Sequence, residues 1–287
     1  MNMPRPVTIV CLMALALSGG CASPPAEPEG DRQLELLQRS ARKAYTAGDA
    51  EVAVRLYRQA LERARLRADA EAIAEMSYNL AAAQARIRKY DAALNTLQTA
   101  PQQSAGRSAK RHLLAGQIYF EQGRLDEAKR ALSRAQKGEL DRALIAVYRG
   151  LIAAKQGHWE TARQIRRQLP ETAPAGARSR LAGLIAEADG NFIVAAKAYE
   201  QEAEANRRRG HYAATAEALA RAGAAYVKAQ RPRRAARAFR LASDSAHAQE
   251  LDLPAQQWLN RAKQLIGNTA SPATAPGTQP ASSAPTR

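Results

Sequence analysis

One spacing constrains this chain more than any other feature: a small residue, eleven residues of any kind, then an alanine, six times in succession. The small residues are Ala41, Ala81, Gly116, Gly150, Gly183 and Gly223, and the alanines are Ala53, Ala93, Ala128, Ala162, Ala195 and Ala235. Successive units lie 40, 35, 34, 33 and 40 residues apart. Alanine is common throughout, so the alanine column alone decides little. Glycine decides more, because a glycine inside a helix costs roughly 1 kcal/mol relative to alanine. Between residues 34 and 266 every glycine has a place in the period. With the small residue numbered 8, Gly116, Gly150, Gly183 and Gly223 hold position 8, and Gly48, Gly123, Gly157 and Gly190 hold position 15. Gly106, Gly138, Gly176 and Gly210 fall between units.

These columns describe a helical hairpin. Small residues at 8 and 20 let two helices approach closely, and glycine at 15 supplies the left-handed cap that stops the first helix. Large side chains fill the remaining wedges: Tyr57, Leu97, Leu132, Tyr199 and Phe239 at position 24, Tyr119 and Tyr226 at 11, and Tyr90, Leu125, Trp159 and Phe192 at 17. The pattern has departures. Arg166 takes position 24 of the fourth unit, Gln230 replaces the capping glycine of the sixth, and Pro232 follows in that turn. The stretches YNLAAAQARIRKYDAALNTL (78–97) and LAGQIYFEQGRLDEAKRAL (114–132) carry the pattern most fully. It resembles the tetratricopeptide repeat, whose period is 34 residues with small residues at 8, 20 and 27. The resemblance implies an all-α, right-handed superhelical solenoid of about six hairpins over 34–266. A last helix, about 254–266, places Trp258, Leu259, Ala262 and Leu265 on one face and is expected to cap the open end.

The two ends read differently. VTIVCLMALAL (7–17) is an apolar run too short to span a bilayer, with the length and flanks of a secretory leader. Leu17, Ser18, Gly19 and Gly20 before Cys21 resemble the lipobox of bacterial lipoproteins, an ordinary signal peptide being the alternative. The resemblance implies a leader over 1–20, cleavage before Cys21, and a diacylglycerol thioether with an acylated N-terminus at that cysteine. Several acyl chains would anchor the protein stably where one would not. Ala22 and Ser23 follow the cysteine, with no Asp to retain the protein at the inner membrane, so the expected location is the outer membrane, facing the periplasm. A flexible tether runs to residue 33. Residues 267–287 hold four prolines and no large apolar side chain, which gives no means of offsetting the entropy of ordering, and a disordered tail is expected. Cys11 leaves with the leader, so no disulfide remains for the mature chain.

The formal net charge is +16. Such a balance points to an acidic partner, an anionic surface or nucleic acid, unless it is simply spread over solvated helix faces. Nucleic acid is disfavoured, because the aromatics occupy packing columns instead of stacking platforms. His112, His158, His211 and His247 lie in different units with no carboxylate or cysteine at ligand spacing, and the motifs of hydrolases, metalloproteases and nucleotide-binding loops are missing. No enzyme activity, metal or cofactor is expected.

In this fold the first helices line a concave groove, mainly through positions 2, 5, 9 and 12. The groove candidates are Tyr78 in the second unit, Lys110, Gln117 and Phe120 in the third, Val147 and Leu151 in the fourth, and Arg180 and Leu184 in the fifth. The middle of the groove therefore reads as apolar, unless these side chains pack against neighbouring helices. A second candidate is a basic stripe, Arg233, Arg237 and Arg240, at i, i+4 and i+7 in QRPRRAARAFR (230–240). Other basic clusters are RRRGHY (207–212) and Arg163 with Arg166 and Arg167. The expected function is that of an outer-membrane-anchored scaffold or adaptor for envelope proteins, acidic ones among them. Similar lipoproteins assist type IV pilus assembly, outer-membrane protein assembly or control of peptidoglycan enzymes, with pilus assembly the leading specific expectation. The alternative is a binder of peptidoglycan or lipopolysaccharide through the stripe.

Overall fold

The computed structural model describes residues 31–101, 105–135, 142–249 and 251–270. The leader, Cys21, most of the tether and the tail beyond residue 270 lie outside the described residues. The chain is an all-α solenoid of six helical hairpins and a final helix. The hairpins are α1 (Arg32–Ala47) with α2 (Ala50–Leu66), α3 (Ala70–Arg86) with α4 (Tyr90–Thr99), and α5 (Ala105–Glu121) with α6 (Leu125–Ala135). There follow α7 (Arg142–Lys155) with α8 (Trp159–Gln168), α9 (Ala175–Ala188) with α10 (Phe192–Arg208), and α11 (Tyr212–Lys228) with α12 (Pro232–His247). Helix α13 (Asp252–Ala270) closes the array. Among the described residues no helix is long and apolar enough to cross a membrane.

Aspartates start three of these helices, and the position-15 column stops the first helix of each hairpin. Asp31, Asp49 and Asp69 cap α1, α2 and α3 by accepting hydrogen bonds from free first-turn N–H groups, Asp31 from Gln33 and Leu34 at 3.1 Å. Gly48, Gly123, Gly157 and Gly190 all take positive φ, between +74° and +96°. In the second and sixth units the same position holds Arg88 (φ 63°) and Gln230 (φ 55°), side chains in a conformation that favours glycine. The 40-residue periods are absorbed by the second helix. α2 and α10 have 17 residues, whereas α4, α6 and α8 have 10 or 11.

Position 8 is small because position 24 sits on it. A Cβ on Gly116 would lie 2.9 Å from Leu132, one on Gly183 2.6 Å from the Tyr199 ring, and one on Gly223 3.1 Å from the Phe239 ring. Tyr57, Leu97, Leu132, Tyr199 and Phe239 are all buried. The fourth unit solves the same problem differently. Arg166 turns out to solvent, and the space over Gly150 is taken by Leu181 of the next unit and by Ile165. On α13, Ala262 is buried, and Trp258 and Leu265 pack against the last core cluster, as a capping helix should.

The array curls until its beginning meets its end. Arg86, at the end of α3, donates to the Tyr45 carbonyl at the end of α1 and to the carbonyls of Arg209 and Gly210 after α10, the Arg209 bond at 2.9 Å. Its guanidinium also lies 4.5 Å from the centroid of the Tyr45 ring. A cation at the negative ends of helices is well placed, and charge-assisted bonds are about twice as strong as neutral ones. Arg88 pairs with Glu217 across the same seam. The backbones at Gly48 and Gly210 touch so closely that a Cβ on Gly210 would be 3.1 Å from the Gly48 Cα.

Two outcomes follow from this packing. Gly183→Ala gains roughly 1 kcal/mol of helix propensity but drives a methyl group into Tyr199, so urea unfolding should show a net loss of about 1–3 kcal/mol. Gly267→Ala, in α13 with open space around it, should show no loss. The closing seam carries a pH dependence. Burial, then Arg86 and Arg209, hold the His211 imidazole down to about 4 against an ordinary 6.5. The unfolded chain thus binds a proton that the folded one refuses. Stability present above pH 6.5 is lost progressively as pH falls toward about 4. Hydrogen-exchange protection at residues 209–212, measured against the intrinsic rate at each pH, should fall over that window, and His211→Gln should remove that part of the response.

Candidate functional site

The concave face differs from the apolar groove expected from sequence. Phe120, Val147 and Leu151 are 3%, 0% and 1% exposed, part of a continuous core with Leu113, Leu181 and Ile185. These groove contacts are therefore corrected to core residues. The reason is curvature: in an array that closes on itself, positions 5, 9 and 12 fill the space between successive first helices and are not left to a ligand. Tyr148 meets the Phe120 ring edge-on with centroids 5.6 Å apart, and the Arg180 guanidinium lies 4.9 Å from the same ring. Tyr78 and Leu184 are half-buried and pack against core clusters, Gln117 is half-buried, and Lys110 is exposed.

A row of charge crosses the face instead. Arg180 donates to Glu121 two units earlier at 2.6 and 3.3 Å and lies 3.9 Å from Glu202. Glu202 accepts from Arg221 of the sixth unit at 2.7 Å. Two carboxylates and two guanidinium groups alternate across units three, five and six. Burial pushes the Glu202 carboxyl up while Arg221 and Arg180 pull against it. Burial likewise works against the Arg180 charge, but Glu121 and Glu202 more than offset it and keep the guanidinium protonated. A second strand of polar contacts runs alongside, with Tyr199 donating to Glu187 at 2.9 Å and Tyr226 to Glu200 at 3.1 Å. Sequence carried one signal for this network. Position 27 is alanine in units one, two, three and six (Ala60, Ala100, Ala135 and Ala242), and Glu202 breaks that column. A carboxylate in a packing column demands buried cations.

The arginines of the basic stripe lie on α12. Pro232 opens α12 in its first turn. Ala235, Ala236, Ala238, Phe239 and Ala242 face the core, and Arg233, Arg237 and Arg240 are exposed along roughly 10 Å of the outer surface. Among the described residues none of the three arginines has a carboxylate within ion-pair distance. Leu241, beside them, is 44% exposed. The other basic clusters are largely neutralised. Arg163 pairs with Asp189 and Glu160, Arg167 with Glu160, and Arg207 and Arg208 share Glu204. Among the described residues no group of three His, Cys, Asp or Glu side chains comes together at a spacing that would hold a metal ion.

No protein-family model and no curated protein matches the chain. Among solved structures it is similar to a tetratricopeptide repeat protein from Parabacteroides merdae, at 16% identity and a TM-score of 0.49, over 80% of this chain and 99% of that one. It is also similar to the C-terminal part of a TPR repeat-containing protein from Cytophaga hutchinsonii, at 13% identity and a TM-score of 0.43, over 81% and 95% of the two chains. A third is YrrB, a TPR protein with an unusual peptide-binding site, at 17% identity and a TM-score of 0.35, over 63% and 91%. Identities and scores this low transfer no partner and no site.

Because Phe120 is core, Phe120→Ala should act on stability and not on a surface. Chemical unfolding should register a loss of about 3–5 kcal/mol, with a matching rise in proteolytic sensitivity. Unaltered stability, with only a ligand-binding defect, would return Phe120 to the groove.

Proposed function

We propose that the chain is a lipid-anchored scaffold of the bacterial envelope whose partner docks on the outer face of α12. The observation that carries this reading is the stripe itself. Arg233, Arg237 and Arg240 are exposed, share one helix face and have no carboxylate partner among the described residues; Glu200 and Glu204 of α10 are engaged elsewhere, and Asp244, one turn past Arg240 on α12, pairs with none of the three. Three unneutralised guanidinium groups within about one Debye length form a docking point for an acidic protein, and the exposed Leu241 adds an apolar contact beside them. The lipobox-like residues before Cys21 support anchoring, and the missing Asp after it supports the outer membrane. The acidic partner is read as an envelope-assembly protein, with type IV pilus assembly the first pathway to test. An anionic envelope polymer is the competing occupant, since phosphate groups would meet the same charges.

The test is photocrosslinking in cells of the anchored protein, with the reactive residue at 241 on the outer face or at 117 on the concave face. A protein adduct at 241, lost when Arg233, Arg237 and Arg240 are changed to Glu, is the expected result. In vitro, the same triple change should weaken binding of the captured protein at least tenfold and flatten its salt dependence. Label at 241 confined to polymer would replace the protein partner by the polymer, and adducts at 117 alone would sink the stripe as the docking face.

A further inference from the structure

The wedge between the second helices of units two and three holds a cavity of about 230 Å³ above α5. Its lining shares no residue with the stripe or with the charged row. Its floor is apolar, formed by Leu94, Leu97, Ala115 and Ala131. Its rim is basic. Arg130 and Arg134, one turn apart on α6, are both exposed and have no carboxylate within ion-pair distance among the described residues. The one carboxylate in the lining, Glu127, is already held by Arg124 at 2.9 and 3.0 Å. Arg111 also lines the cavity but is committed, donating to the carbonyls of Leu97 and Pro101 at the end of α4.

His112 completes the wall. Burial, then Arg134 and Arg111, hold its imidazole below the ordinary value. In either protonation state the ring carries an N–H donor, and it lines the cavity. Positive charge at the mouth, a donor on the wall and hydrocarbon beneath make a site of mixed character. Pockets that fix a ligand are mostly apolar with a few placed polar groups. At the ~30 Å³ that a water takes in the liquid, the volume holds on the order of eight non-hydrogen atoms.

We propose that this cavity binds a small organic anion, its carboxylate or phosphate head on Arg130 and Arg134 and its short hydrocarbon body on Leu94, Leu97 and Ala131. The size excludes a folded partner and admits a single aliphatic chain. Bidentate geometry makes arginine a strong receptor for either head.

Isothermal titration calorimetry of the full chain with hexanoate, butyl phosphate, acetate and hexylamine tests this. Hexanoate or butyl phosphate should bind with one-to-one stoichiometry, and whichever is tighter identifies the head. Acetate should bind at least tenfold more weakly than hexanoate, and hexylamine should not bind. Arg130→Gln with Arg134→Gln, both at exposed positions, should weaken binding at least tenfold while leaving the circular dichroism unchanged. Bound anion should also raise the His112 pKa in an NMR titration. The proposal is overturned if neither anion saturates below roughly 10 mM, if acetate matches hexanoate, if hexylamine binds as well, or if the double variant binds as tightly as the parent.

Discussion

Everything in this molecule depends on one contact repeated along the chain: a large side chain at position 24 seated on a residue with little or no side chain at position 8. Tyr199 on Gly183 and Phe239 on Gly223 show why the second residue is glycine and not merely small, since a single methyl group would meet the ring at or below van der Waals distance. That contact sets how closely the two helices of a hairpin approach. The approach distance within each hairpin, taken along the array, sets the curvature. The fourth unit shows that the requirement belongs to the space and not to the residue. Arg166 cannot fill the wedge, so Leu181 reaches in from the next hairpin.

Curvature then decides which surfaces exist. The array is tight enough for Arg86 to bridge the ends of α1 and α10, and that closure spends the concave face on internal packing. Phe120, Val147 and Leu151 become core, and the charges left on that face neutralise one another through Glu121, Arg180, Glu202 and Arg221. A buried row of this kind adds little net stability over apolar packing, but removing one partner typically costs 3–5 kcal/mol. It links units three, five and six.

The same accounting of charge separates structural from available cations. Arg63 is bound to Asp31, Arg207 and Arg208 to Glu204, and Lys228 to Glu187. Cations without such partners include Arg233, Arg237 and Arg240 on the outer face of α12 and Arg130 and Arg134 at the rim of the cavity over α5. A high net charge alone does not tell these populations apart. The geometry of their neighbours does.

Sequence by itself determined the elements and their period. Stops at the position-15 glycines, the buried position-24 column and the outward face of the Arg233 stripe are all local or single-hairpin properties, encoded within a few dozen residues. The departure of Arg166 was legible for the same reason. Closure of the array was not, because it sums small rotations over six units and brings Arg86 to residues more than a hundred positions away. The burial of Phe120 and Leu151, the depressed His211 and the basic cavity belong to that second category. Each depends on where distant hairpins come to rest, and only the tertiary structure decided it.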